Sequence, residues 1–316
     1  MERSLRLLFC QEFIERMAKK RSVKIGLIQH ACPVSASKAQ NLQTACGMIR
    51  EAAARGAQMV ATQELFLSPY FPQVEAEAGF ELAEAIPGPT TQTLGELARE
   101  LSIEITSSLF EKRAAGLYHN TSVMIAATGE IVGKYRKMHI PDDPRFFEKY
   151  YFTPGDASGE REDGGWQAQK TRYATTGMLI CWDQWFPEAA RLTALRGAEI
   201  LFYPTAIGWQ DDIDTAEQHR QQREAWQILQ RSHAIANGVF VAAINRIGTE
   251  GDIRFWGSSF VCDPTGQVIA EAPADQPAVV VAECDLSLIE EARKAWPFLR
   301  DRRVDAYGGL TQRFID

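Results

Sequence analysis

The short apolar run Met178-Leu179-Ile180 stops at Cys181, and positions 186–196 then take up helical spacing with Pro187 suited to a first turn. A buried strand that passes into a helix through so short a connection belongs in a layered α/β fold. Its elbow residue sits at a sheet edge with backbone N–H groups nearby. Cys181 holds that elbow. The thiolate is the reactive form of cysteine, and helix N-termini or neighbouring cations lower its pKa from a free value of about 8.5. The position therefore suits a nucleophile. A lone cysteine is nevertheless more often a small buried apolar residue.

Two other segments bear on that choice. In Val60-Ala61-Thr62-Gln63-Glu64-Leu65-Phe66 a carboxylate follows a short apolar strand, and in Gly133-Lys134-Tyr135-Arg136-Lys137-Met138-His139-Ile140-Pro141 a lysine lies within an extended run. Taken singly, Glu64 reads as a surface acid or a loop hydrogen-bond partner, and Lys137 as an exposed strand cation. Taken together, Glu64, Lys137 and Cys181, in this order and in these local sequences, resemble the Glu-Lys-Cys triad of the carbon-nitrogen hydrolase (nitrilase) superfamily. The resemblance runs from Lys24-Ile25-Gly26-Leu27-Ile28-Gln29 to Phe298-Leu299-Arg300-Asp301-Arg302-Arg303. Within the superfamily, HIPDDPRFFEKYYFTPGD (139–156), ICWDQWFPEAAR (180–191), YPTAIG (203–208) and NRIG (245–248) are most similar to the N-carbamoylputrescine amidase branch.

The resemblance implies an αββα four-layer sandwich with two mixed sheets, and a homodimer or higher homo-oligomer of such units. It implies an enzyme that hydrolyses N-carbamoylputrescine, or a similar N-carbamoyl amine, to putrescine, carbon dioxide and ammonia through a carbamoyl-cysteine. A carbamoyl carbon is a poor electrophile, so a covalent intermediate divides one hard step into two. Cys181 is then the nucleophile. Glu64, in a dry site that raises a carboxyl pKa, is the general base. Lys137 and the backbone N–H of Trp182 stabilise the oxyanion. Glu148 matches a second glutamate beside the lysine and takes an orienting role; spacing alone equally allows an ion pair with Lys149 or Arg145. Glu188 also fits a family pattern, but at a helix start it reads as structural.

The substrate end is read from charge. Carbamoylases that recognise carboxylates carry arginine shortly after the cysteine, whereas this chain has Asp183 and Gln184 there. Asp183, Trp182, Trp185, Trp209 and Trp256 are therefore expected to form a rim that attracts an ammonium tail, although any single tryptophan is more often a core or interface residue. Departures from the family's pattern fall at Ala174, where relatives usually carry glycine, and in the loops at 159–165 and 208–212. The competing readings are another carbon-nitrogen hydrolase (an ω-amidase, a nitrilase or an N-carbamoyl amino acid amidase) and a non-catalytic binding subunit of the same fold. The second would normally have lost a triad member. A Cys-His hydrolase using His119 or His139 fits poorly, because neither histidine has a helper motif.

Composition removes other classes. The 316 residues are 45% hydrophobic and 24% charged, with a net charge of −7, which argues against nucleic acid or an anionic membrane as partner and leaves a small-molecule substrate. The six cysteines show no CxxC spacing and the five histidines no HExxH, so neither a bound metal nor a disulfide framework is expected. GxSxG, P-loop and GxGxxG signatures are missing, and no cofactor is expected. A reducing cytoplasm fits best. Residues 1–22 read as an extension outside a single domain at 23–316, with Leu5, Phe9, Phe13 and Met17 spaced for a short amphipathic helix and no cleavage site of a signal peptide.

Along that domain, strands are expected at 23–30, 58–61, 103–109, 122–127, 131–135, 199–203, 239–244, 258–262, 267–270 and 279–283. Helices are expected at 38–55, from Thr90 or Thr91 toward Glu100, and at 215–237.

Overall fold

In the computed structural model, residues 21–157 and 165–315 are described. Residues 1–20, the bulk of the expected N-terminal extension, lie outside the described residues, as does most of the loop expected at 157–165. Ser22 already belongs to the domain, since it pairs with Asp285, and Arg21 donates to Glu199 at 2.8 Å.

Two six-stranded mixed sheets form the centre. The first holds β1 (Ser22–Gln29), β2 (Met59–Thr62), β3 (Glu104–Ala114), β4 (Leu117–Ile125), β5 (Ile131–Arg136) and the late strand β15 (Ala278–Asp285), in the order β15-β1-β2-β3-β4-β5. The second holds β6 (Ala168–Lys170), β7 (Thr175–Met178), β8 (Ile200–Pro204), β10 (Phe240–Ile244), β13 (Phe260–Cys262) and β14 (Val268–Glu271), in the order β14-β13-β10-β8-β7-β6. Val23, Ile25, Leu27, Met59 and Ala61 from the first sheet share one buried cluster with Ile200, Phe202, Val241 and Phe260 from the second, so the sheets pack face to face. Helices cover the outer faces: α1 (Lys38–Ala54) and α2 (Pro89–Leu101) on the first sheet, α4 (Pro187–Leu195) and α5 (Ala216–Asn237) on the second. These are the four layers of the expected sandwich. The short α3 (Glu148–Tyr151) and the later α6 (Ser287–Ala295) complete the α-helices among the described residues.

Local chemistry explains the ends. Ser37 and Gln40 form a capping box for α1, as Thr215 and Gln218 do for α5, and Gly238 stops α5 at φ +58°, a left-handed position that glycine takes without cost. Helix α2 is capped at Gly88 rather than at either threonine; Thr91 instead accepts from the Gly88 N–H at 2.8 Å. A small third sheet was not foreseen. It joins β9 (Gly208–Trp209), β11 (Ile247–Glu250) and β12 (Ile253–Trp256) in the order β11-β12-β9, strands too short and too mixed in polarity to give a periodic signal. Among the described residues, no helix is long and apolar enough to cross a membrane.

Candidate active site

Strand β2 ends at Thr62, and two residues later Glu64 is fully buried. Leu65 then turns the chain sharply at φ +48°. Glu64 Oε1 accepts from Lys137 Nζ at 2.9 Å and from Asn120 Nδ2 at 2.7 Å. Its Oε2 is buried and has no hydrogen-bond partner among the described residues. Lys137 lies one residue past β5, with its backbone N–H on the Asn120 carbonyl at 2.9 Å. Its ammonium also donates to Glu148 Oε2 at 2.6 Å, while Tyr70 donates its hydroxyl to Glu148 Oε1 at 2.6 Å. The local ion pair that spacing allowed for Glu148 does not form: Arg145 pairs with Asp212 and Lys149 faces Asp142.

Electrostatics follow from enclosure. Burial disfavours a charged Lys137, yet the carboxylates of Glu148 and Glu64 outweigh it and raise the ammonium's pKa. Burial lifts the Glu148 carboxyl to about 7, against the opposing pull of Lys137 and with a further push from Glu64. Cys181 goes the other way from the sequence expectation. Burial, reinforced by the negative charge of Glu64, pushes its thiol well above the ordinary range, and Lys137 only partly compensates. The helix start that was expected to acidify it is a single 3-10 turn, Cys181–Trp185, ahead of α4. A buried protonated thiol needs a base at the moment it attacks.

The elbow itself is held tightly. Ile180 is extended at φ −127° and Cys181 turns at φ +40°, a strained position for a residue with a Cβ. Cys181 Sγ approaches the Ala206 carbonyl at 3.9 Å. The Gln184 side-chain oxygen accepts from Trp226 Nε1 at 2.8 Å and Gln230 Nε2 at 3.0 Å, tying the turn to α5.

Asp183 requires a correction. It is fully buried, and its oxygens accept from the Ile180 N–H at 2.9 Å, the Tyr135 hydroxyl at 2.7 Å, and the His139 N–H at 3.2 Å, with His139 Nδ1 at 2.8 Å. A saturated acid under the elbow is not a substrate rim. Tyr135 and His139 flank Lys137 by two residues each, so Asp183 joins the lysine's segment to the cysteine's. His139 also stacks on Phe186 at 3.7 Å, and His119 Nδ1 lies 2.8 Å from the Thr153 carbonyl; both rings are thereby engaged away from the thiol. Trp209 is corrected too. Its indole N–H donates to the His219 carbonyl at 2.9 Å, and the Arg254 guanidinium covers its ring at 4.5 Å, so it braces Trp256 from behind.

A cavity of about 330 Å³ opens at Cys181. Trp182, Trp185, Trp256 and Phe146 line it, together with Glu148, Asp143, Gln210, Asp214 and Gln222. Trp182, Trp185 and Trp256, expected near the nucleophile, are thus among the residues that line this cavity. Asp143 and Asp214 were missed. Asp214 accepts from the Gln210 N–H and from Gln222 Nε2, both at 2.9 Å, and both acids lie in loops whose partners the linear sequence does not display. Asn120 and Tyr70 were missed as well. Their one advance signal is a polar side chain within a stretch that must be buried.

A sandwich of two mixed sheets between helices, with a thiol and a carboxylate at one cavity and a buried ammonium and second carboxylate directly behind them, defines a hydrolase that cleaves carbon–nitrogen bonds. The family profile described as "Carbon-nitrogen hydrolase" matches residues 24–294, and the chain belongs to that family. An N-carbamoylputrescine amidase of Solanum lycopersicum is 43% identical over 92% of this chain and 95% of its own length. A citrullinase of Francisella tularensis subsp. tularensis is 37% identical over 93% of this chain and 99% of its own. Among solved structures, a carbon-nitrogen hydrolase from Helicobacter pylori G27 superposes with a TM-score of 0.87 at 42% identity, covering 93% of this chain and all of that one.

Proposed function

We propose that this enzyme hydrolyses N-carbamoylputrescine, or a similar N-carbamoyl amine, to the amine, carbon dioxide and ammonia. Glu64 takes the Cys181 proton as sulfur attacks the ureido carbon, and Lys137 and the Trp182 N–H hold the oxyanion. The tetrahedral centre collapses as Glu64 returns the proton to the leaving amine. Glu64 then activates water against the carbamoyl-cysteine, and the carbamate released falls apart to carbon dioxide and ammonia. Glu148 keeps the ammonium of Lys137 in place. Support comes from the names of the similar proteins and from the pair Glu64–Lys137 at 2.9 Å beside an unpartnered carboxylate oxygen.

The observation that carries the amine tail is the cavity's charge. Asp143 and Asp214 line it, and among the described residues neither Lys nor Arg does. Carboxylates at the cavity wall and aromatic faces both favour an ammonium, and a carboxylate tail would meet no bidentate guanidinium. A competition between N-carbamoylputrescine and N-carbamoyl-β-alanine tests this, with L-citrulline as a third arm. The amine is expected to win, and Asp214→Asn to lower its kcat/KM roughly tenfold while sparing the uncharged N-butylurea. An acid-tailed substrate that matches or exceeds the amine sinks the assignment.

Cytoplasmic location, a single domain from about residue 23 and self-association belong to the same reading. Leu192, Leu195, Ile228, Trp296 and Phe298 are exposed apolar residues, which supports pairing of two copies.

A further inference from the structure

Another buried ion pair lies outside the cavity lining and behind the two glutamates. Arg246 follows β10 and is fully buried; Glu250 closes β11 and is buried as well. Arg246 Nη1 donates to both carboxylate oxygens of Glu250, at 3.0 and 2.8 Å. Its Nη2 donates to the backbone carbonyls of Glu64 at 2.9 Å, Leu65 at 3.0 Å and Ser68 at 3.3 Å. One guanidinium therefore clamps the turn that carries Glu64, including the strained Leu65. Glu250 in turn accepts the Tyr70 N–H at 2.5 Å, and Tyr70 is the residue whose hydroxyl reaches Glu148.

We propose that the Arg246–Glu250 pair is a positioning unit that registers both glutamates against Lys137, holding Glu64 through its backbone and Glu148 through Tyr70. The inference rests on the role proposed above for those glutamates. A buried ion pair contributes little net stability, because desolvating two charges offsets their attraction. Besides a backbone bond from Cys32 to Glu250, its bonds go to the turn that carries Glu64 and to the tyrosine that holds Glu148, which is where orientation matters for the reaction. The pair also sets charge. Glu64 faces Lys137, Glu148, Cys181, Tyr70 and Arg246, and Arg246 faces Glu250, Cys32, His30 and Glu64. Removing Arg246 takes away the positive member of the pair, which is the member bonded to the Glu64 turn, and neutralising Glu250 leaves that positive charge uncompensated.

The test compares kcat, KM, the pH profile of kcat/KM and Tm for full-length Arg246→Lys, Arg246→Met and Glu250→Gln. Glu250→Gln is expected to move the acidic limb of kcat/KM to lower pH and Arg246→Met to higher pH, each by about half a unit or more. Arg246→Lys keeps the charge but not the fork of contacts, so kcat falls about tenfold with KM within about twofold and the limb unmoved. Limbs that stay put or move together, with losses confined to Tm, overturn the proposal and make the pair a structural one. If Arg246→Met does not fold, the Lys and Gln variants still decide, because an unmoved limb in Glu250→Gln or an unchanged kcat in Arg246→Lys overturns it. Cys181→Ser separates this from the reading beneath it: an active serine variant refutes the site, whereas a dead one with unmoved limbs refutes only the positioning unit.

Discussion

The two sheets repeat one pattern of strand directions and differ in what they carry. Read from β15 in the first sheet and from β6 in the second, each runs antiparallel, parallel, parallel, antiparallel, antiparallel. Yet the first sheet's strands and connections supply Glu64, Asn120 and Lys137, locked by bonds of 2.7 to 2.9 Å, and the second supplies Cys181, whose sulfur has one weak contact at 3.9 Å. The charged half is organised before substrate arrives, which removes reorganisation from the reaction step. The nucleophilic half holds its backbone rigid and leaves the sulfur free to form a bond. Equivalent topology thus does not give equivalent chemistry, and the site arises where the two halves meet.

The sharpest way to break this contrast is to vary two thiols of the same sheet. Cys262, in β13, is buried, and burial with the Asp263 charge pushes its thiol up to about 12. Cys181→Ser is expected to lose on the order of 10³-fold or more in kcat while staying folded, whereas Cys262→Ser should change kcat little and cost some stability. Ammonia release and circular dichroism on both variants check it. Comparable losses from the two would mean that the elbow is not special.

The preorganised half is tested next. Glu64→Gln and Lys137→Met are each expected to lower kcat/KM by roughly 10² to 10⁴. Because the two side chains share one hydrogen bond and act on the same tetrahedral centre, the double variant should be little worse than the poorer single one. Multiplicative losses would show that they act independently.

The elbow at Cys181 and the strand before Glu64 were legible in the sequence because each shows a change of period: an apolar run that stops, then a carboxylate or a helix. The outer helices were legible through their periodicity and through glycines such as Gly238 that stop them, whereas the cap expected at Thr90 or Thr91 falls at Gly88. Long-range partners were not. Asp183 reads as a free acid beside the nucleophile, and only the crossing of β5's extension over the elbow shows that Tyr135 and His139 saturate it. Trp209 reads as a cavity aromatic until the third sheet turns it onto Arg254. Asp143 and Asp214, far apart in sequence and both in loops, come to one cavity through folding alone. Local pattern predicts elements, and the partners of a buried polar group depend on how those elements cross.

The smallest expected effect concerns the one site carboxyl whose folded pKa lies near neutrality. Glu148 is raised from an ordinary 4.5 to about 7, chiefly by burial. Between those values the folded chain holds more protons than the unfolded one, so this group's contribution to stability falls as pH rises from about 4.5 to 7. Glu148→Gln keeps the shape and cannot ionise, so it escapes that loss. The difference in Tm, variant minus parent, is therefore expected to be more positive at pH 7.5 than at pH 5, by a few degrees, roughly. Histidines held neutral by burial, such as His30 and His233, have lowered pKa values that make stability rise with pH. They act equally in both proteins and cancel in the difference. The same substitution removes the negative charge facing the Lys137 ammonium and leaves one acceptor oxygen where Lys137 Nζ and the Tyr70 hydroxyl each had their own, and kcat should fall about tenfold or more as the lysine loses its fixed position. A Tm difference that does not change with pH would mean that Glu148 keeps one protonation state across the range, and the first sheet's half of the site would then be more rigidly charged than its burial implies.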